Sequence, residues 1–424
     1  MTSNSENTQA HLPPVRQRLQ LLWRIIVMIL LGYILLQTLL FARLEMKLSY
    51  NEIKVFPLDS YFYASYAINI LHGNGPQADW PAGPANKYFP GFSYWWCMFL
   101  SPNAEPLTAV RNYVNCQSAV IFFLIIILVL LGRLIWQDWI SGLGYAALAT
   151  SSPLLIRWSA VPMAEPLACL MSCGFACCAM LAWRANPVVG QRKAIHYFIA
   201  IAGMILFGAA GFLTRVEVLY VILASLFFMV LLRRLKWTIG AVIAGLSMLP
   251  VAIWQLWVTI HFAQRNSYAM EGIHNFSMER AANMFTFLAG YFVSIPNVRS
   301  YIFWIDFVMF FWTLFFYASL VVAARGYLSR PAFVSAWICI GYWVLHSLWY
   351  YQAERYNLII LPFGYLFLFD GLGRWYSWKN GWKARGASIF LLMICLLFVT
   401  YSRRHADSTI EAHIVALNKQ VLPD

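Results

Sequence analysis

The chain has 424 residues, of which 61% are hydrophobic and only 11% charged, and its mean hydropathy is +0.63. That balance excludes an ordinary soluble domain and fits a polytopic membrane protein. The formal net charge of +13 is accounted for by membrane topology and anionic headgroups, which leaves no case for nucleic acid as a partner.

Residues 1–20 form a polar N-terminal segment, expected to be cytoplasmic, with Arg16 and Arg18. The apolar run at 21–42 is longer than a signal-peptide core of about 7–15 residues and lacks a small-residue cleavage site, so it reads as an uncleaved first span. Further runs of spanning length recur at 117–135, 139–156, 162–183, 196–213, 216–232, 237–260, 302–324, 332–350, 358–373 and 386–402. The predicted fold class is all-α, with about eleven transmembrane helices in one domain over 21–402 and an outer tail at 403–424. The stretch "GFLTRVEVLYVILA" also permits one interrupted helix. Two long connections, 43–116 and 261–301, fall on one side.

Lys and Arg are retained on the cytoplasmic side of a membrane. With the N-terminus inside, the inner segments hold sixteen of the thirty cations against Glu6, Asp138 and Asp370, and the outer side is left with fourteen of each sign. The excess charge therefore lies inside. Six cysteines fall in apolar runs as small hydrophobes, while Cys97 and Cys116 share the outer segment and could pair.

The first outer segment, 43–116, reads as helix, loop, helix. In "VFPLDSYFYASYAINILHGNG", Pro57 presets the start, Asp59 falls in the first turn, and Phe62, Tyr63, Tyr66 and Ile70 repeat at helical spacing before "HGNG" ends the element. This predicts an interfacial helix, with Asp59 stabilised as the anion by the helix dipole. It serves either as a simple capping acid or as a reactive carboxylate. Lys87 lies between this helix and a second aromatic one, where its ammonium can meet a phosphate or snorkel to headgroups.

Further along, Glu165 opens an apolar run between Pro162 and Pro166, Arg215 and Glu217 interrupt another, and Glu354 and Arg355 precede a third. A charge beside apolar sequence is expensive unless it is paired or hydrated. Their gathering on one predicted face argues for a charged, water-filled cavity.

In this order, an acid opening an aromatic helix, "NKYFPGFSYW", "AVRNYVNCQSAVIFFLIIIL", "PMAEPLACL", "LTRVEVL" and "ERYNLIILP" resemble membrane glycosyltransferases of the GT-C class. The branch closest in style takes its sugar from a polyprenyl phosphate and includes protein O-mannosyltransferases and the lipid A aminoarabinose transferase. The resemblance covers roughly residues 20–370. It implies a hexosyl- or pentosyltransferase with Asp59 as catalytic base and Glu165 as the second acid. Lys87, Arg215 and Arg355 would be the cations on the donor phosphate. Glu165 has two readings, as an anion that orients those cations or, with Asp59, as a ligand of a divalent metal. Where the O-mannosyltransferases carry paired acids this chain has Asp59-Ser60, and it lacks their soluble insertion and the lipid A enzyme's C-terminal outer domain.

Transfer from such a donor needs a carboxylate near the anomeric carbon, cations on the departing phosphate and room for the lipid between helices. A single displacement would invert the anomeric centre. Tyr61, Tyr63, Tyr88, Tyr356 and Glu354 are the candidate substrate contacts. Trp95, Trp96, Tyr350 and Tyr351 either stack on sugars or belong to the interfacial aromatic belt. The expected partners are a polyprenyl-phosphate sugar donor, membrane lipids and a glycan, lipid or protein acceptor. The expected location is a bacterial inner membrane with the site facing the periplasm, or an endoplasmic reticulum. The competing reading is a flippase or transporter of polyprenyl-linked sugars or other anionic lipids. It is disfavoured because ionisable residues are few at mid-span. A polysaccharide polymerase or ligase usually carries its main outer loop late in the chain, whereas here the larger one comes first.

Overall fold

The computed structural model describes residues 14–52, 58–77, 89–101, 112–185, 191–261, 278–293, 303–327, 330–347, 354–375 and 389–398. Every regular element among them is helical. The first, α1 (Pro14–Glu52), is 39 residues long and so extends about 58 Å, well beyond a hydrocarbon core of about 30 Å. Five described helices or parts of them, Arg18–Leu40, Tyr113–Trp136, Glu165–Arg184, Ala194–Thr214 and Trp237–Ile260, are long and apolar enough to cross a membrane. The chain is thus a multi-pass membrane protein. Other apolar helices are shorter, so this criterion does not reproduce eleven spans.

Where the first outer segment begins, α2 (Leu58–Leu71) forms as its sequence predicts. It ends where Gly73 and Gly75 take φ of 78° and 80°, a left-handed backbone that glycine adopts without strain. Then α3 (Gly91–Cys97) packs on α2. The long α4 (Tyr113–Trp136) stops at Gln137, in the left-handed region at φ 58°, and Asp138 caps α5 (Trp139–Thr150) by accepting from the Ser141 amide at 2.9 Å.

The predicted span 139–156 does not run through. Ser151 and Ser152 intervene, and α6 (Pro153–Ser159) is a separate helix. The cause is Pro153, which has no N–H to continue α5 and biases the residue before it away from helix. Next, α7 (Glu165–Arg184) and α8 (Gln191–Thr214) pack against each other, and a tight turn separates α8 from α9 (Val218–Leu231). Gly211 faces Val218 and Gly208 faces Ile222 across that turn, so the stretch is two helices folded back on each other and not one interrupted helix. Pro250 lies within α10 (Trp237–His261).

The second long connection is not all loop, since it contains α11 (Met278–Val293). After it come α12 (Phe303–Ala324), α13 (Pro331–Ser347), a 3-10 segment (Glu354–Ile360), α14 (Leu361–Trp375) and α15 (Ile389–Phe398). The helices α4 and α7 run parallel. Gln117 near the start of α4 donates to the Met163 carbonyl just before α7, and Arg184 at the end of α7 donates to the Ile135 carbonyl near the end of α4. This pair defines two ends of the molecule. One carries Arg24, Asp138 and Arg184, and the other carries Glu165.

Candidate functional site

Glu165 is the first residue of α7, followed by Pro166, so its carboxylate lies at the positive end of the helix dipole. It is fully buried, and its Oε1 meets two arginines that are 140 residues apart in sequence. Arg215 Nη2 donates at 2.6 Å, and Arg355 Nε lies at 3.1 Å in a salt bridge. Glu217 Oε2 stands 3.7 Å from Arg215 Nε. The arginine side chains keep 14% and 17% of their exposure, and their shared counter-ion keeps none. Both lie over the ring of Tyr356, at 5.5 and 5.8 Å from its centroid, and Arg355 also lies over Trp158 at 5.7 Å.

Burial works against the charge of Arg215, but Glu165 and Glu217 overcome it and hold its pKa well above the ordinary value. Arg215 is therefore a permanent cation. The second oxygen of Glu165, Oε2, is buried with no hydrogen-bond partner among the described residues.

Each arginine is delivered by a fixed backbone. Arg215 stands in the turn between α8 and α9, where its amide donates to the Gly211 carbonyl at 2.9 Å. Beside that turn Gly91, opening α3, leaves no room for a side chain. A Cβ there would meet the Leu213 carbonyl and the Thr214 nitrogen at 2.7 Å. Arg355 belongs to the 3-10 segment, which α13 grips through Tyr342, whose hydroxyl donates to the Tyr356 carbonyl at 2.9 Å, and Trp343, whose Nε1 donates to Asn357 Oδ1 at 3.0 Å. The buried Asn357 amide then donates to the Leu288 carbonyl of α11 at 2.8 Å. Sequence reasoning assigned no role to Tyr342, Trp343 or Asn357. The available signal was a lone amide within "ERYNLIILP".

Asp59 occupies the second position of α2, and its side chain lies outside the described residues. The next residue, Ser60, donates to the Pro162 carbonyl at 2.9 Å, so the first turn of α2 is docked on the backbone that leads into Glu165. Tyr63 is buried edge-on against Phe92 and lies within electrostatic range of Arg215. Its ring is part of the core, which corrects the expectation of a sugar-stacking face. Trp96 is likewise fully buried, and Trp95 Nε1 donates to the Cys116 carbonyl at 3.3 Å. Tyr356 is buried between the arginines and α13. The side chains of Tyr61 and Glu354, and all of Lys87, Tyr88, Tyr350 and Tyr351, lie outside the described residues. Cys97 and Cys116 are free thiols. The Cys97 Sγ donates to the Ala67 carbonyl at 3.1 Å instead of pairing.

Of the two carboxylates expected to share a divalent metal, Asp59 has its side chain outside the described residues, which leaves Glu165. Its Oε1 already serves two guanidinium cations, whose charge opposes a third cation there. Among the described residues, no three His, Cys, Asp or Glu side chains come together as a metal centre.

No family model and no curated protein matches the sequence. Solved structures do match the fold. The oligosaccharyltransferase AglB from Archaeoglobus fulgidus, in complex with an inhibitory peptide and a dolichol-phosphate, superposes with a TM-score of 0.52 at 13% identity over 88% of this chain and 56% of its own. The apo form of the Archaeoglobus fulgidus oligosaccharyltransferase gives 0.53 at 14% identity over 89% and 56%. The chain thus spans just over half the length of the structures it matches. The fold of this chain is similar to that of a membrane glycosyltransferase of the GT-C class.

Proposed function

We propose that this protein is a GT-C-type glycosyltransferase that moves a hexosyl or pentosyl group from a polyprenyl-phosphate donor to a glycan, lipid or protein acceptor. The observation that carries this reading is the convergence of Arg215 and Arg355 on buried Glu165, beside the docked start of the helix that bears Asp59. The site belongs to the periplasmic or lumenal face, with 43–116 as the catalytic loop and 261–301 as the second loop over it.

In this reading the guanidiniums of Arg215 and Arg355 take the donor phosphate, whose negative charge grows as the anomeric C–O bond breaks. Glu165 holds both cations in place, so they need no rearrangement when that charge develops. Asp59 accepts the proton of the attacking acceptor group late in a single inverting displacement. Lys87 adds a third cation from the same loop, and Tyr61, Tyr88 and Glu354 are the proposed sugar contacts.

One experiment tests both sidedness and phosphate binding. Asp59→Cys in right-side-out vesicles should be labelled by a membrane-impermeant maleimide, undecaprenyl phosphate should slow that labelling, and Arg355→Ala should remove the protection. A cysteine unreachable from outside would overturn the orientation. Labelling indifferent to undecaprenyl phosphate would overturn the phosphate site.

A further inference from the structure

In the stretch "NYVNCQS", Tyr113 and Gln117 stand one helical turn apart near the head of a largely apolar helix. Both are buried and both face the non-helical turn 160–164 that precedes Glu165. The Tyr113 hydroxyl lies 3.0 Å from the Ala160 carbonyl and 2.6 Å from the Met46 carbonyl of α1, sharing one proton between them. The Gln117 amide uses both of its hydrogens, donating to the Val161 carbonyl at 3.1 Å and to the Met163 carbonyl at 3.0 Å. Ser60 of α2 donates to the carbonyl between these two, that of Pro162. Four consecutive carbonyls, 160 to 163, are thus met by side chains from two other helices.

We infer that Gln117, supported by Tyr113, is a positioning residue of the site, fixing the turn that aims Glu165 at its two arginines and ties it to the helix of Asp59. A turn cannot pair its own successive carbonyls, and a buried carbonyl without a partner is costly. The two hydrogens of one amide meet two carbonyls two residues apart, which only a narrow range of turn conformations allows. Glu165 follows two residues later and inherits that geometry. The inference deepens the proposed function and rests on it for the meaning of the site, although the turn itself can be examined without any donor.

The test compares wild type, Gln117→Leu and the milder Ser60→Ala, each as the full chain in lipid nanodiscs. Hydrogen exchange is followed at the amides of 160–169, with α14 as internal reference. Undecaprenyl phosphate affinity is measured on the folded fraction. Loss of two hydrogen bonds should speed exchange in that segment alone and weaken affinity about tenfold in Gln117→Leu, with a smaller loss, about threefold, in Ser60→Ala. A merely structural role would lower thermal stability and leave the affinity of the folded fraction unchanged, and that result would overturn the inference. So would wild-type exchange at 160–169 in Gln117→Leu. If wild type itself does not bind undecaprenyl phosphate, the donor reading fails, and the exchange rates alone then decide whether Gln117 fixes the turn.

Discussion

The two ends of the bundle both carry arginine–carboxylate pairs, yet they are built differently. At one end Arg24 meets Asp138 at 2.9 Å with 54% and 34% of the side chains exposed, and Arg184 reaches the Ile135 carbonyl. At the other, two arginines share a carboxylate with no exposure at all. An exposed pair contributes about 0–1 kcal/mol and can be lost without consequence. A buried one takes charge out of water at high cost, and apolar residues of the same volume would often be as stable. The exposed end needs only the membrane to explain it. The buried end is better explained by a task that requires two fixed cations.

That contrast can be broken most severely at Glu165. In Glu165→Ala two buried guanidiniums lose their common anion, and a loss of about 3–5 kcal/mol is expected, visible as a large drop in thermal midpoint and in yield. An unshifted midpoint would mean that the arginines are solvated and the cluster is not what the geometry indicates. A smaller effect is expected from Gly91→Ala, where the added methyl meets the backbone next to Arg215. About 1–3 kcal/mol is typical of such overpacking, whereas Gly32→Ala, with nothing within 4 Å of its new Cβ, should be neutral or stabilising by up to about 1 kcal/mol. Equal destabilisation by both would argue against the close approach at α3. The smallest effect belongs to Arg24→Ala, expected to shift stability by less than about 1 kcal/mol. A cost comparable to that of Glu165→Ala would erase the difference between the ends.

Much of this was legible in the sequence where local chemistry decides. Pro57, Asp59 and the "HGNG" stop give α2 its bounds, because helix starts and glycine stops act within a few residues. Glu165, Arg215 and Arg355 stood out because charge beside apolar sequence is costly. Their pairing was not legible. Arg215 has Glu217 as its neighbour in sequence, yet the shorter contact runs to Glu165, 50 residues earlier, and depends on how α7 packs against α8. The break at Pro153 was hidden because residues 150–153 are only a short polar dip between apolar stretches, and α11 was missed because an amphipathic helix is not an apolar run. Tyr113 and Gln117 were given no role from the sequence, since what they bind is a set of carbonyls, which no side-chain pattern records.

The central claim, sugar transfer from a polyprenyl phosphate with Asp59 as base, is tested most directly with purified protein in lipid and a labelled polyprenyl-phosphate sugar donor pool. Wild type should release the sugar to acceptor, and Asp59→Asn should bind donor normally while turning over at least about 100-fold more slowly. Undiminished transfer by Asp59→Asn would remove it as the base. Labelled lipid that crosses the bilayer with its sugar still attached, in wild type and variant alike, would contradict the account and favour a transporter.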